Sequence, residues 1–173
     1  MAIVLPGAHY LPGYPALWFA REAVQRHGWS VLEVWDECWE PEAAGRWVEE
    51  RALAALEHAG DPDRILIVAK SLSTRAAPIA RERRLPAVWL TPLLEDDDVV
   101  AALRTPTAPA LLVGGTADPL WSSALVSTLD RVEVLELAGV DHGLEVEGDP
   151  LASIDALRRV TYAIDGFVAR LQA

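Results

Sequence analysis

Three residues of this 173-residue chain have the types that acyl-transfer chemistry needs: Ser71, Asp118 and His142. A serine hydroxyl is a weak nucleophile until a base takes its proton, and that base works best when an acid holds its ring in one tautomer. Ser71 closes the run Ile65-Leu66-Ile67-Val68-Ala69-Lys70 and opens a helical pattern. A serine on a tight strand-to-helix turn projects its hydroxyl away from the backbone, beside amides that a first helical turn leaves unbonded. Asp118 lies in Gly114-Gly115-Thr116-Ala117-Asp118-Pro119, and His142 in Gly139-Val140-Asp141-His142-Gly143. Taken singly, two of the three have plainer readings. Ser71 fits a buried or helix-capping serine, and Asp118 before Pro119 fits an N-cap with proline at N1. His142, in a glycine-flanked loop, is better explained by function.

The other polar candidates are weaker. His27 beside Gly28 and His58 near Gly60 fall at predicted helix C-termini, where an imidazolium favours the dipole, so both read as structural. Asp96, Asp97 and Asp98 read as a solvated helix start. Asp141 rivals Asp118 as the orienting acid, although backbone adjacency to His142 tends to point the two side chains apart. Lys70 reads as solvent-facing or as a charge near a pocket rim, because the segment before it lacks the glycine-rich loop of a phosphate binder. No cluster has metal-ligand spacing and no loop reads G-x-G-x-x-G, so neither a metal nor a cofactor is expected.

The elements that must position these residues follow from the apolar runs and their punctuation. Residues 2–5 form a short apolar strand stopped by Pro6-Gly7, and the loop 7–15 is too rich in Gly and Pro for regular structure. A helix follows to about residue 27. A second strand spans residues 31–35, then an acidic loop at 36–42 and a helix at 43–59. The strand at 65–69 leads through Ser71 into a helix reaching Arg84, where Leu85-Pro86 breaks it. A strand at 87–90, a short helix at 99–103, a strand at 110–113 and a helix to about Leu129 come next. The strand at 132–137 and an amphipathic helix at 150–171 complete the pattern. Strand and helix alternate six times, which predicts a three-layer α/β/α sandwich around a six-stranded, mainly parallel sheet. Ligands of such sheets bind beyond the carboxyl ends of the strands, and the 7–15 loop, Ser71, Asp118 and His142 all fall there.

Bulk properties narrow the partners. The chain carries 15 basic and 26 acidic side chains, a formal charge of −11, which repels nucleic acid and anionic membrane surfaces. A hydrophobic fraction of 51% supports a full core, and the length suits a single domain over residues 1–173. No apolar run approaches the ~20 residues of a membrane span. Cys38 is the one cysteine, and residues 1–7 have neither a basic nor a long apolar leader segment, so the cytoplasm is expected. The oligomeric state is open.

Leu5-Pro6-Gly7-Ala8, Ala69-Lys70-Ser71-Leu72-Ser73, Gly115-Thr116-Ala117-Asp118-Pro119 and Asp141-His142-Gly143-Leu144 together resemble the serine hydrolases of the α/β-hydrolase superfamily. The order Ser, Asp, His after the third, fifth and sixth strands is that superfamily's order. Ala69 and Ser73 stand where its G-x-S-x-G elbow has glycines. The resemblance implies Ser71 as nucleophile, His142 as base and Asp118 as the acid that orients it, with the amides of Leu72 and Ala8 as the oxyanion hole. It also implies a minimal, lidless member, since residues 91–109 are too few for an inserted lid and a strand begins at residue 2. The expected activity is hydrolysis of small ester, thioester or related acyl substrates. The alternative is a non-catalytic binding module that keeps the fold. Tyr10, Tyr14, Trp18, Trp89 and Trp121 fall in or near carboxyl-edge loops, with pocket and core roles both open. His9 either lines the pocket or lies on the surface.

Overall fold

The computed structural model describes residues 1–38, 41–60 and 64–172; Trp39 and Glu40, in the expected acidic loop, lie outside these. Among the described residues six strands form one all-parallel sheet in the order β2-β1-β3-β4-β5-β6: β1 (Ala2–Leu5), β2 (Val31–Glu33), β3 (Leu66–Lys70), β4 (Ala87–Leu90), β5 (Ala110–Gly115) and β6 (Glu133–Leu137). The four inner strands are buried along their whole length. Covered on both faces, they carry apolar residues at every position but Lys70, which is why they read as nearly continuous apolar runs. The edge strands β2 and β6 carry glutamates, and β6 is largely exposed.

Strand periodicity divides the core in two. Ala2, Val4, Leu66, Val68, Val88, Leu90, Leu111 and Val113 face α1 (Pro15–Arg26) and α6 (Pro150–Arg170). Ile3, Leu5, Ile67, Ala69, Ala87, Trp89 and Leu112 face α2 (Ala44–Ala59), α3 (Ala77–Arg83), α4 (Asp97–Arg104) and α5 (Ser123–Val126). The result is the expected α/β/α sandwich. Strand order reverses between β1 and β3, the place at which open sheets of this kind take ligands beyond the carboxyl edge.

Local differences from expectation have physical causes. The helix expected from Ser71 onward starts as a 3₁₀ segment, Ser71–Ala76, before α3 takes over. Pro78 lacks an amide and its ring would clash with the carbonyl four residues back, so an α-helix cannot run straight through. The helix expected after Asp118 shortens to the four residues of α5, capped by Ser122, whose Oγ accepts from the Leu125 amide at 3.2 Å. Asp118 is therefore not its N-cap. Asp96 does cap α4, accepting from the amides of Asp98 and Val99, and also pairs with Arg75 at 2.9 Å. The segment between β4 and β5 holds α4 and no inserted domain.

Candidate active site

The adjoining strands end in step. Leu5 pairs with Ala69, Lys70 with Leu90, Leu90 with Val113 and Gly115 with Leu137, so each loop leaves the sheet beside the next. Ser71 follows β3 directly and sits at φ 49°, in the left-handed region that residues with a Cβ seldom occupy. Such backbone strain persists only where the surroundings enforce it. Here the surroundings are specific. Thr74 Oγ1 donates to the Ser71 carbonyl at 2.6 Å and accepts from the Leu93 amide at 3.2 Å. Ser73, at the position of the second elbow glycine, is buried and donates its hydroxyl to the Pro6 carbonyl. That bond ties the elbow to the loop after β1. Gly7 completes the junction: a Cβ there would lie 3.3 Å from Ser71 Cβ.

His142 reaches the elbow from the loop after β6. Its Nε2 lies 2.7 Å from Ser71 Oγ and its Nδ1 lies 2.7 Å from Asp118 Oδ2. An ionised carboxylate can only accept, so Nδ1 carries the proton and Nε2 is left to accept from the serine hydroxyl. The Asp118 side chain is 0% exposed, and its Oδ1 accepts from the Leu120 amide at 2.9 Å. Burial alone would raise its pKa. The hydrogen bonds that His142 and Leu120 donate, with the electrostatic pull of His142 and of the Lys70 ammonium, outweigh it and hold the group below the usual aspartate value. Asp141, the rival acid, is engaged in its own loop: its Oδ1 accepts from the amides of Gly143 and Glu145 at 2.8 and 3.0 Å.

The two loops that carry Asp118 and His142 are laced together. Thr116 N donates to Leu137 O, Ala117 N to Val140 O, and Gly139 N to Thr116 Oγ1, all between 2.9 and 3.0 Å. Gly115 makes the approach possible, since a Cβ there would fall 2.1 Å from the Val140 carbonyl oxygen.

The remaining candidates divide. Gly7 and Tyr10 pair across a tight turn, with Ala8 and His9 exposed at its tip and His9 at φ 53°. The Tyr10 hydroxyl accepts from the Ala16 amide, its ring lies 4.9 Å from that of Tyr14, and burial pushes its pKa up to about 12. Tyr10, Pro15, Ala16, Gly143, Leu144, Ile154 and Leu157 line a groove of about 160 Å³ beside the His142 loop. Trp121 is placed in the core instead: its ring rests on Gly114 and its Nε1 donates to Glu136 at 2.7 Å. Trp89 is likewise core, and Trp18 is half exposed beneath the Arg21 guanidinium. His27 bonds Asp165 at the end of α1. Lys70 is neither solvent-facing nor at a rim. It is 1% exposed, because it continues the face of Leu66 and Val68 into the layer that holds Tyr10 and Leu144. That alternation was the signal for its burial. Among the described residues no three His, Cys, Asp or Glu side chains gather as metal ligands would.

No family model and no curated protein matches the sequence. Solved structures do match in shape. Est1E from Butyrivibrio proteoclasticus, with ferulic acid bound, superposes with a TM-score of 0.75 at 15% identity, over 98% of this chain and 88% of its own. XC6422 from Xanthomonas campestris, described as an α/β serine hydrolase without lid, gives 0.71 at 17% identity, over 98% and 81%. The monoacylglycerol lipase of Paleococcus ferrophilus gives 0.71 at 13% identity, over 96% and 94%. The chain therefore has the α/β-hydrolase fold.

Proposed function

We propose that the protein is a serine hydrolase that cleaves small ester, thioester or related acyl substrates. The observation that carries this reading is the Ser71–His142–Asp118 relay, with two contacts of 2.7 Å and the serine held at φ 49°. His142 Nε2 takes the proton from Ser71 Oγ as that oxygen attacks the acyl carbonyl. Asp118 holds the ring and stabilises the imidazolium, and the amides of Leu72 and Ala8 stabilise the oxyanion. His142 returns the proton to the leaving group, then activates a water that releases the acyl group from Ser71. At 34% side-chain exposure, His142 is open to such a water.

Tyr10 and Tyr14 are proposed to flank the substrate, with His9 at the mouth. The apolar groove past Gly143 and Leu144 takes its hydrophobic part. No cofactor enters the scheme. Turnover of short-chain p-nitrophenyl esters tests it: the wild type should hydrolyse them and Ser71→Ala should not. Wild-type turnover that survives in Ser71→Ala would contradict the proposal.

A further inference from the structure

Lys70 precedes the proposed nucleophile and, among the described residues, is the largest of the fully buried side chains. An ammonium is strongly hydrated in water and is rarely enclosed without dedicated partners. Here the partners are well defined. Nζ donates to the His142 carbonyl oxygen at 2.7 Å and to Thr91 Oγ1 at 2.8 Å, and it lies 4.6 Å from the centre of the Tyr10 ring. Asp118, Asp141 and Glu145 supply the surrounding negative charge, and burial still pulls the ammonium down to about 8. Tyr10 comes from the loop after β1, Thr91 from the end of β4 and Asp118 from the loop after β5, while His142, Asp141 and Glu145 come from the loop after β6.

The arrangement around this cation is strained. Thr91, a β-branched residue, adopts φ 44°, and its amide is fixed by the Val113 carbonyl at 2.7 Å. Leu144, buried in the histidine loop, adopts φ 67°. With Ser71 at 49°, three side-chain-bearing residues in the left-handed region stand at or near the partners of one lysine. The histidine loop is also a closed body: Asp141 N donates to Glu145 O at 2.8 Å, and Asp141 Oδ1 takes the amides of Gly143 and Glu145. With its own bonds closed internally, its attachments to the rest of the fold decide where Nε2 points. These attachments include the Ala117 amide's bond to the Val140 carbonyl, the Asp118 bond to Nδ1, the burial of Leu144 in the core and the Lys70 bond to the His142 carbonyl.

We propose that Lys70 is a positioning residue, an interior brace that pins the backbone of His142 to the ends of β3 and β4 and so keeps Nε2 within reach of Ser71 Oγ. The inference rests on the hydrolase reading above, because it gives Lys70 a part in the same reaction. Nζ itself touches no reacting atom in this scheme. It acts through the His142 carbonyl.

The test compares Lys70→Met, which keeps the bulk of the stem and removes the donors, with wild type, His142→Ala and the Lys70→Met/His142→Ala double variant. The readouts are fluorophosphonate labelling rate, ester kcat and KM, and a crystal structure of Lys70→Met. A displaced base of this kind should slow labelling and kcat by roughly 100-fold with KM little changed. Added to His142→Ala, the same substitution should cost nothing further, because its effect runs through the base. In the crystal structure residues 141–145 should shift and the Nε2–Oγ contact should lengthen. Thr91→Val, which removes one acceptor, should move the same readouts in the same direction to a smaller extent, and it carries the cycle if Lys70→Met does not fold. Labelling of Lys70→Met at the wild-type rate, or an equal loss with and without His142, overturns the brace. A wild type that never labels overturns the hydrolase reading instead, and the position of the loop in the Lys70→Met structure then still decides whether Lys70 holds it.

Discussion

Asp118 and Asp141 both lie close to His142, and their carboxylates do different work. Asp118 meets Nδ1 in full burial, whereas Asp141 closes its own turn. Asp118→Asn should therefore lower kcat by roughly 10⁴-fold, the scale on which losing the correct imidazole tautomer acts in serine hydrolases. Asp141→Asn keeps the relay and should cost far less; steady-state kinetics on one ester ranks the two. Lys70 makes a prediction about stability as well. Its ammonium titrates near 8 in the fold against an ordinary 10.5. Between those values the unfolded chain binds the extra proton, so stability should rise with pH from about 8 to about 10. Below 8 both states are protonated and the cost of burial is fully present. Above 10 the raised Tyr10 pKa reverses the trend, because the folded chain then keeps a proton that the unfolded chain loses. Urea unfolding across this range should show the rise in wild type and lose it in Lys70→Met.

At the scale of elements, the site is held by strand ends that finish in register and by loops that approach too closely for a side chain. Gly115→Ala would push a Cβ into the Val140 carbonyl. It should cost roughly 1–3 kcal/mol, as overpacking does, and should reduce turnover further by displacing the histidine loop. Gly45, exposed in the first turn of α2 with open space around it, is the control: Gly45→Ala should stabilise by about 0.4–1 kcal/mol. Thermal unfolding and ester turnover on both variants check the contrast. The inner strands were legible in the sequence because burial on both faces demands nearly unbroken apolar runs, and the order of Ser71, Asp118 and His142 placed all three at one edge. The elbow was legible only in part. Ser73 stands where the resemblance expects a glycine, and its hydroxyl finds the Pro6 carbonyl, a partner 67 positions away that no local pattern announces. Lys70 departs from the solvent-facing or rim position expected of it for a related reason. Its charge suggested solvent, while its parity with Leu66 and Val68 pointed inward, and only the fold reveals the acceptors that make the inward position tolerable. Pro78 is the local signal for the 3₁₀ start that an uninterrupted helix from Ser71 to Arg84 leaves out.

For the molecule as a whole, a charge of −11 and the Glu145 carboxylate lining the groove are expected to make the site repel negative charge. Esters with an anionic acyl tail should therefore show lower kcat/KM than neutral esters of equal length, and the gap should narrow with added salt. Paired assays at low and high ionic strength measure it. Fold alone does not make an enzyme, and the central claim is that this fold holds one activated serine. The most direct measurement is labelling with a fluorophosphonate followed by peptide mapping. The adduct is expected on Ser71 alone, absent from Ser71→Ala and slow to form in His142→Ala. A folded wild type that stays unlabelled, or an adduct on another residue, would contradict the account.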